Sequence, residues 1–249
     1  MQTTMCTMAA KQLDGDWFLI KTRDPVSWMR WDDEIKLFDS PSDVHKKLIV
    51  QNPDPNQDGY YGGINDGGVA FVSTYVPVAE NQISYIRRPY VRLILDASTA
   101  KEAVGIIKNF NPRIGGNMFV ADKTECYGIE GAPNEYFIEQ ITKPEVKTNH
   151  YIHLPYENLG FKDDPHFREW SHTHYERAEE LISSAQTVTD LQNILKDRKN
   201  AEKNMAICTT AKEERCYTYS AFIFDTKNAK AYYCQGNPSE KPFKEFGFK

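Results

Sequence analysis

Residues 6–24 read CTMAAKQLDGDWFLIKTRD. The Gly15-Asp16 pair is a turn signal, so the segment reads as a strand, a turn and a strand. That path returns Asp24, eighteen residues on, to the side of Cys6, where the segment begins. Ahead of it, Met1-Gln-Thr-Thr-Met5 carries neither a hydrophobic pattern nor a targeting signature. Residues 1–5 are therefore expected to be a pro-segment or a mis-assigned start, and residues 6–249 a single domain. Removal of a methionine at position 5 would expose Cys6, whereas removal at position 1 would expose Gln2.

An exposed Cys6 would carry a thiol and an α-amino group on one residue. The reference pKa of such an amine is about 7.7–8.0, against roughly 8.5 for a thiol, so the amine can act as base to the thiol beside it. Acyl transfer would then run through a thioester. The bland alternative is a small buried hydrophobe, the common fate of a free cysteine.

Beyond residue 24, short strands are predicted at Glu34–Phe38, Lys47–Gln51, Tyr60–Ile64, Val69–Val76, Asn117–Ala121, Cys126–Glu130 and Glu135–Ile141. A capping box at Thr99–Glu102 opens a helix whose apolar residues Ala103, Ile106, Ile107 and Phe110 recur at helical spacing. Helices are predicted again at Phe167–Ala185 and Val188–Lys196, as an antiparallel pair. Strands return at Asn204–Thr209, Tyr217–Asp225 and Ala229–Gln235, with Thr226-Lys-Asn228 suited to a hairpin turn. Strands, a helical layer, and strands that rejoin the sheet give an α+β fold, with helical regions for two sheets.

The chain has 249 residues, 40% hydrophobic and 26% charged, which suits an ordinary globular domain with a substantial core. No stretch approaches the run of about 18 apolar residues that a membrane span needs, and the start lacks a secretory signal; the expectation is a cytoplasmic protein that engages no membrane. A net charge of −5 leaves no footprint for nucleic acid. Five cysteines, Cys6, Cys126, Cys208, Cys216 and Cys234, lack CxxC spacing and indicate neither a disulfide framework nor a thiolate zinc site. His150-x-x-His153 and His172-x-His174 do not array three or four ligands, so no metal and no other cofactor is expected.

Three motifs in order resemble the N-terminal nucleophile hydrolases, on the branch of choloylglycine hydrolases, penicillin V acylases and acyl-coenzyme A:isopenicillin N acyltransferase. They are the Cys6 to Asp24 segment, the run GGINDGGVAFVSTY at residues 62–75, and Thr148-Asn149-His150-Tyr151. The stretches at 92–107, 117–130 and 236–240 also resemble the family. The resemblance implies a four-layer αββα sandwich of two antiparallel sheets between helical layers. It implies that Cys6 is the nucleophile, that Asp24 orients it with Arg23 tuning the charge, and that the Asn149 side chain and the Tyr75 backbone N–H hold the oxyanion. A plain strand-end ion pair remains the other account of Arg23 and Asp24.

Trp28, Met29 and Trp31 fall where relatives build an acyl pocket, although core packing explains an apolar cluster equally well. In relatives a Ser-Arg-aromatic-x-Arg segment reaches the site. The matching stretch here is Thr173 to Arg177, which keeps Arg177 but places His174 where the site arginine would stand, and an imidazole is no substitute for a permanent bidentate cation. His174 and Arg177 are therefore expected at the substrate. The implied reaction is cleavage of a non-peptide C–N amide bond in a small-molecule amide or acyl substrate. Hydrolase and acyltransferase both stay open, as does a homo-oligomeric state. A ligand-binding protein that keeps residues 1–5, and a Cys-His enzyme using His150 or His174 as base, are the competing readings.

Overall fold

The computed structural model describes residues 5–25, 33–53, 59–78, 87–109, 115–133, 135–210 and 216–248. Strand β1 (Met8–Leu13) turns into β2 (Asp16–Arg23) through Asp14 and Gly15, both with positive φ. β2 lies inside a sheet ordered β10 (Glu145–Lys147), β1, β2, β11 (Ser220–Asp225), β12 (Lys230–Gln235) and β13 (Lys244–Phe246). Its near-continuous apolar run follows from burial on both faces. Trp17 and Leu19 pack with Met8, Ala10, Phe222 and Phe224, while Phe18 and Ile20 pack on the opposite face with Ala221, Ile223 and helical residues.

The second sheet is a seven-stranded antiparallel meander in chain order. Its strands are β3 (Glu34–Phe38), β4 (Lys47–Gln51), β5 (Tyr60–Asn65), β6 (Ala70–Ser73), β7 (Gly116–Ala121), β8 (Cys126–Ala132) and β9 (Glu135–Ile141). Leu48, Val50, Ile64, Val72 and Phe119 from this sheet meet Leu19, Phe222 and Phe224 from the other, and the main core lies between the sheets. Helices α1 (Arg87–Ile94) and α2 (Ala100–Asn109) cover the outer face of the meander through Ile94, Leu95, Ala103 and Ile107. After a short α3 (Gly160–Asp163), α4 (Pro165–Ile182) and α5 (Val188–Leu195) cover the outer face of the six-stranded sheet. The architecture is αββα.

Thr99 caps α2 by accepting from the Glu102 amide at 3.1 Å, and the Glu102 carboxylate reaches back one residue further than a capping box requires, to the Ser98 N–H at 2.8 Å. Asn204–Thr209, predicted as a strand, is irregular instead. Asn200 and Asn204 both take left-handed φ, and the segment is tied by Cys208 N–H to the Asp197 carbonyl and by Thr209 to Thr218. Helix α1 and strand β10 are elements that the sequence pattern did not announce. No helix among the described residues is long and apolar enough to cross a membrane.

The glycine-rich run at 62–68 sets how closely the layers approach. A Cβ at Gly62 would lie 2.9 Å from the Phe222 ring of the facing sheet, and one at Gly63 would lie 2.6 Å from Leu95 beneath α1. Gly68, at φ +88°, would place a Cβ 2.1 Å from the Thr226 carbonyl oxygen. Gly68→Ala therefore combines a left-handed backbone with a clash against main chain, and should lower unfolding free energy by about 1–3 kcal/mol in a denaturant titration.

Candidate active site

Strand register assembles the site. β1 and β10 pair Met8 with Lys147, and β1 and β2 pair Met8 with Lys21. Continued two residues past Met8, the same antiparallel registers bring Asn149 and Arg23 to either side of Cys6. The bridge between Met5 and Asp24 confirms this alignment on the β2 side: each accepts the other's backbone N–H, at 2.9 and 3.0 Å. Pleating then sorts the side chains. Cys6, Met8, Lys21 and Arg23 fall on the face between the sheets, and Thr7, Thr22 and Asp24 on the face toward α4.

Asn149 is held on all its polar groups. Its side-chain oxygen accepts from the Cys6 nitrogen at 2.9 Å, and its side-chain nitrogen donates to the Tyr75 carbonyl at 2.7 Å. Its backbone N–H donates to Ser171 Oγ at 3.0 Å, and its carbonyl accepts from Asn158 Nδ2 at 2.7 Å. Neighbouring Thr148 offers its carbonyl to Thr74 Oγ1 and Asn117 Nδ2, both at 2.8 Å, fastening the Thr-Asn-His loop to the second sheet. A side-chain amide so pinned is preorganised, and the second N–H of its nitrogen is set by the same geometry.

Cys6 is buried, 3% exposed, and so is Met5, which packs with Phe161, Phe167, Trp170, Met205 and Cys216. With Met5 attached, the Cys6 nitrogen is a peptide N–H. All five cysteines are free thiols.

On the inter-sheet face, Arg23 forms an ion pair with Asp33 at 3.3 Å and stacks its guanidinium 3.5 Å over the Tyr61 ring of β5. Asp33 is fixed in turn by Ser220 Oγ at 2.9 Å and by the Tyr233 hydroxyl on its carbonyl. On the other face, the Asp24 carboxylate accepts from Thr22 Oγ1 at 2.6 Å and from Thr218 Oγ1. Burial raises its pKa to about 6 against the pull of those two donors and of Lys21 and Arg23. Asp24 thus touches Cys6 through backbone pairing of its neighbour Met5 and through Thr22, whose Oγ1 also accepts from the Thr7 amide at 3.1 Å.

His174 and Arg177, both expected at the substrate, separate on α4. His174 is fully buried beneath Thr7, its Nδ1 3.0 Å from Thr7 Oγ1 and its ring 3.5 Å from that of Trp170. Arg177 points to the end of α5, where it donates to Asp197 at 2.7 and 3.1 Å and to Glu180 at 2.6 Å. Trp28, Met29 and Trp31 lie outside the described residues. A cleft of about 800 Å³ between β9, β10 and α4, lined by Glu139, Glu145, Tyr175 and Glu179 among others, contains none of the candidate residues.

The sequence reading passed over Lys21. It lies in the middle of WFLIKT, is 1% exposed, and shares the inter-sheet face with Cys6. A lysine inside a doubly buried apolar strand is the signal that could have found it, because such a charge is expensive unless it has a task.

Burial holds His174 neutral, with a pKa lowered to about 3. Its folded value lies below its unfolded one, so the stability it contributes is full above about pH 6.5 and is lost as pH falls toward 3. Asp24 acts in the opposite sense, losing stability as pH rises from about 4 to about 6. Comparison of the wild type with His174→Gln leaves the Asp24 contribution common to both. Between pH 6 and pH 4 the wild type should lose stability relative to the variant at about 1.4 kcal/mol per pH unit in denaturant unfolding.

Two antiparallel sheets packed face to face between helical layers are the fold of the N-terminal nucleophile hydrolases. Solved structures of that class share the fold across most of this chain. Conjugated bile acid hydrolase from Clostridium perfringens, solved as a mutant, superposes with a TM-score of 0.62 at 12% identity, covering 98% of this chain and 97% of its own. Penicillin V acylase from Agrobacterium tumefaciens gives 0.55 at 12% identity over 92% and 82%, and the Caenorhabditis elegans ortholog of N-acylethanolamine-hydrolyzing acid amidase gives 0.56 at 13% over 88% and 92%. Residues 11–240 match the acyl-coenzyme A:6-aminopenicillanic acid acyl-transferase family, and the chain belongs to it. It is an enzyme of the amide-hydrolase and acyltransferase group. No curated protein matches the chain in sequence.

Proposed function

We propose that this protein cleaves the C–N bond of a small non-peptide amide by forming a thioester on Cys6. The observation that carries the reading is Asn149, whose one side chain spans the nitrogen of Cys6 and the carbonyl of Tyr75. An acyl carbon bonded to Cys6 Sγ would present its oxygen near this amide, with Asn149 Nδ2 and the Tyr75 N–H as oxyanion donors. Arg23, held by Asp33 and Tyr61, contributes a fixed positive charge on the same face, and Asp24 anchors the end of β2 against β1. Bile-acid conjugates, penicillin V and N-acylethanolamines, named for the relatives, all join an acyl group to a small amine through an amide. Water as acceptor makes the reaction a hydrolysis, and an amine makes it an acyl transfer.

Met5 is buried and holds the Cys6 nitrogen in a peptide bond. Its departure frees the α-amino nitrogen, already aimed at Asn149. The test is a thiol-directed probe applied to protein begun at Met5, with the initiator methionine removed during expression, and to protein in which intact mass shows Met1 still present. Labelling at Cys6 in the first and not in the second supports the reading. Equal lack of labelling in both would favour a ligand-binding protein that has kept the fold.

A further inference from the structure

The main chain of Asn149 rests on three buried side chains that close on one another. Its backbone N–H donates to Ser171 Oγ at 3.0 Å, and Ser171 Oγ lies 2.9 Å from His150 Nδ1 and 3.1 Å from Thr148 Oγ1. His150 Nδ1 is also 3.0 Å from Thr148 Oγ1, which donates its own hydrogen to the Ser171 carbonyl at 3.0 Å. The hydrogens close in either tautomer of the ring. With Nδ1 bare, it accepts the Ser171 hydroxyl; with Nδ1 protonated, it donates to Ser171 Oγ, whose hydrogen then goes to Thr148. In both cases Ser171 keeps a lone pair for the Asn149 N–H, and His150 decides where the Ser171 hydroxyl points.

His150 is itself held in place. Its carbonyl accepts from Asn117 Nδ2 of β7 at 2.8 Å, His172 of α4 lies over its ring at 4.1 Å between centres, and Tyr175 meets the ring edge-on at 5.5 Å. Burial, followed by His172, lowers its pKa to about 4, with Glu130 opposing and Lys147 adding, so the ring is neutral near pH 7.

This anchorage stays constant through turnover. Once residues 1–5 are gone, the Cys6 nitrogen is the amine that takes the thiol proton and returns it. Its bond to the Asn149 side chain then differs from the present peptide N–H bond and changes as the proton moves. The oxyanion donor must nevertheless hold still, because a donor stabilises the developing charge best when it does not reorient during the reaction.

We propose that His150, acting through Ser171, fixes Asn149 as the oxyanion donor. This rests on the reading of Cys6 as nucleophile with Asn149 at the oxyanion. His150, a candidate base on sequence grounds, is here a positioning residue: its Nδ1 is turned to Thr148 and Ser171, and it carries no proton of the reaction. The competing account is that the three side chains only stabilise the fold. The two differ in whether loss of His150 still matters once Asn149 is gone.

The test is a double-mutant cycle on protein that begins at Cys6, with p-nitrophenyl butyrate as the probe, turnover read as p-nitrophenolate release and the Cys6 adduct read by mass spectrometry. His150→Phe keeps a ring and removes Nδ1; it should lower kcat about 10–100-fold with KM within about threefold, since a displacement of about 1 Å at a catalytic group costs up to about 10²-fold. His150→Asn can stand an amide atom at Nδ1, and should recover kcat to within about fivefold of wild type. In an Asn149→Ala background, His150→Phe should change kcat by less than about twofold. Thermal unfolding reports on folding; should His150→Phe fail to fold, Ser171→Ala takes its place in the cycle with the same coupling expected. Wild-type kcat in His150→Phe, no recovery in His150→Asn, or losses that multiply with Asn149→Ala overturn the proposal while Cys6 remains the nucleophile. Absence of any butyryl adduct on wild-type Cys6 overturns that underlying reading as well.

Discussion

Cys6→Ala is expected to abolish acylation and turnover and to leave the fold in place. The two outcomes separate a nucleophile from a packing residue. As a packing residue, Cys6 would contribute the burial of one sulfur atom, a large-to-small change at the mild end of the core series, about 1 kcal/mol. As the nucleophile it has no substitute, and losses on the order of 10⁶-fold in kcat accompany removal of a nucleophile elsewhere. Cys6 belongs to none of the apolar clusters that join the layers. Its backbone nitrogen bonds to Asn149, and alanine retains that bond. The measurement is kcat/KM beside the thermal midpoint: activity at background with a midpoint within a few degrees of wild type.

Asn149→Ala is expected to lose both activity and stability, in contrast to Cys6→Ala. Removing one oxyanion donor costs about 10²–10³-fold in kcat in other acyl-transfer enzymes. The substitution also leaves the buried Cys6 nitrogen without its acceptor, at about 1–3 kcal/mol. Asn149→Asp refines the comparison. It keeps an acceptor for Cys6 and removes the donor, while setting a carboxylate oxygen against the Tyr75 carbonyl. The expected result is a kcat reduced as far as in the alanine variant, with KM little changed. Retention of kcat in the aspartate variant would remove Asn149 from the oxyanion site.

Much of this was legible in the chain. The strand, turn and strand of residues 6–24 could be read from Gly15-Asp16 and the apolar run after it, because a strand buried on both faces leaves a dense hydrophobic signature. Helix α4 was readable from its period; its buried stripe is Phe167, Trp170, Ser171, His174, Ala178 and Ile182, with Tyr175 and Leu181 half-buried at its margin. What the sequence could not carry was register. Asn149 reaches Cys6 only because β10, three residues long, pairs with β1 across more than a hundred residues of chain. A Glu-Val-Lys triplet has no strand signature of its own.

Local chemistry misled in two places. His174 occupies the position aligned with a site arginine, but the Trp170 ring and Thr7 hydroxyl hold it buried behind β1. Asn204–Thr209 has strand-like composition, yet Asn204 in the left-handed region turns the chain before a ladder can form. Lys21 escaped notice for a third reason: its meaning depends on which face of β2 it shares with Cys6, and pairing decides that face.

The central claim, a thioester on Cys6, is tested most directly by quenching protein that begins at Cys6 with p-nitrophenyl butyrate and mapping the product. The account predicts one butyryl group per chain, located on the peptide that starts at Cys6, removed by hydroxylamine as a thioester is, and absent from Cys6→Ala. A butyryl group on any other residue, or an unmodified chain after substrate turnover, would contradict it.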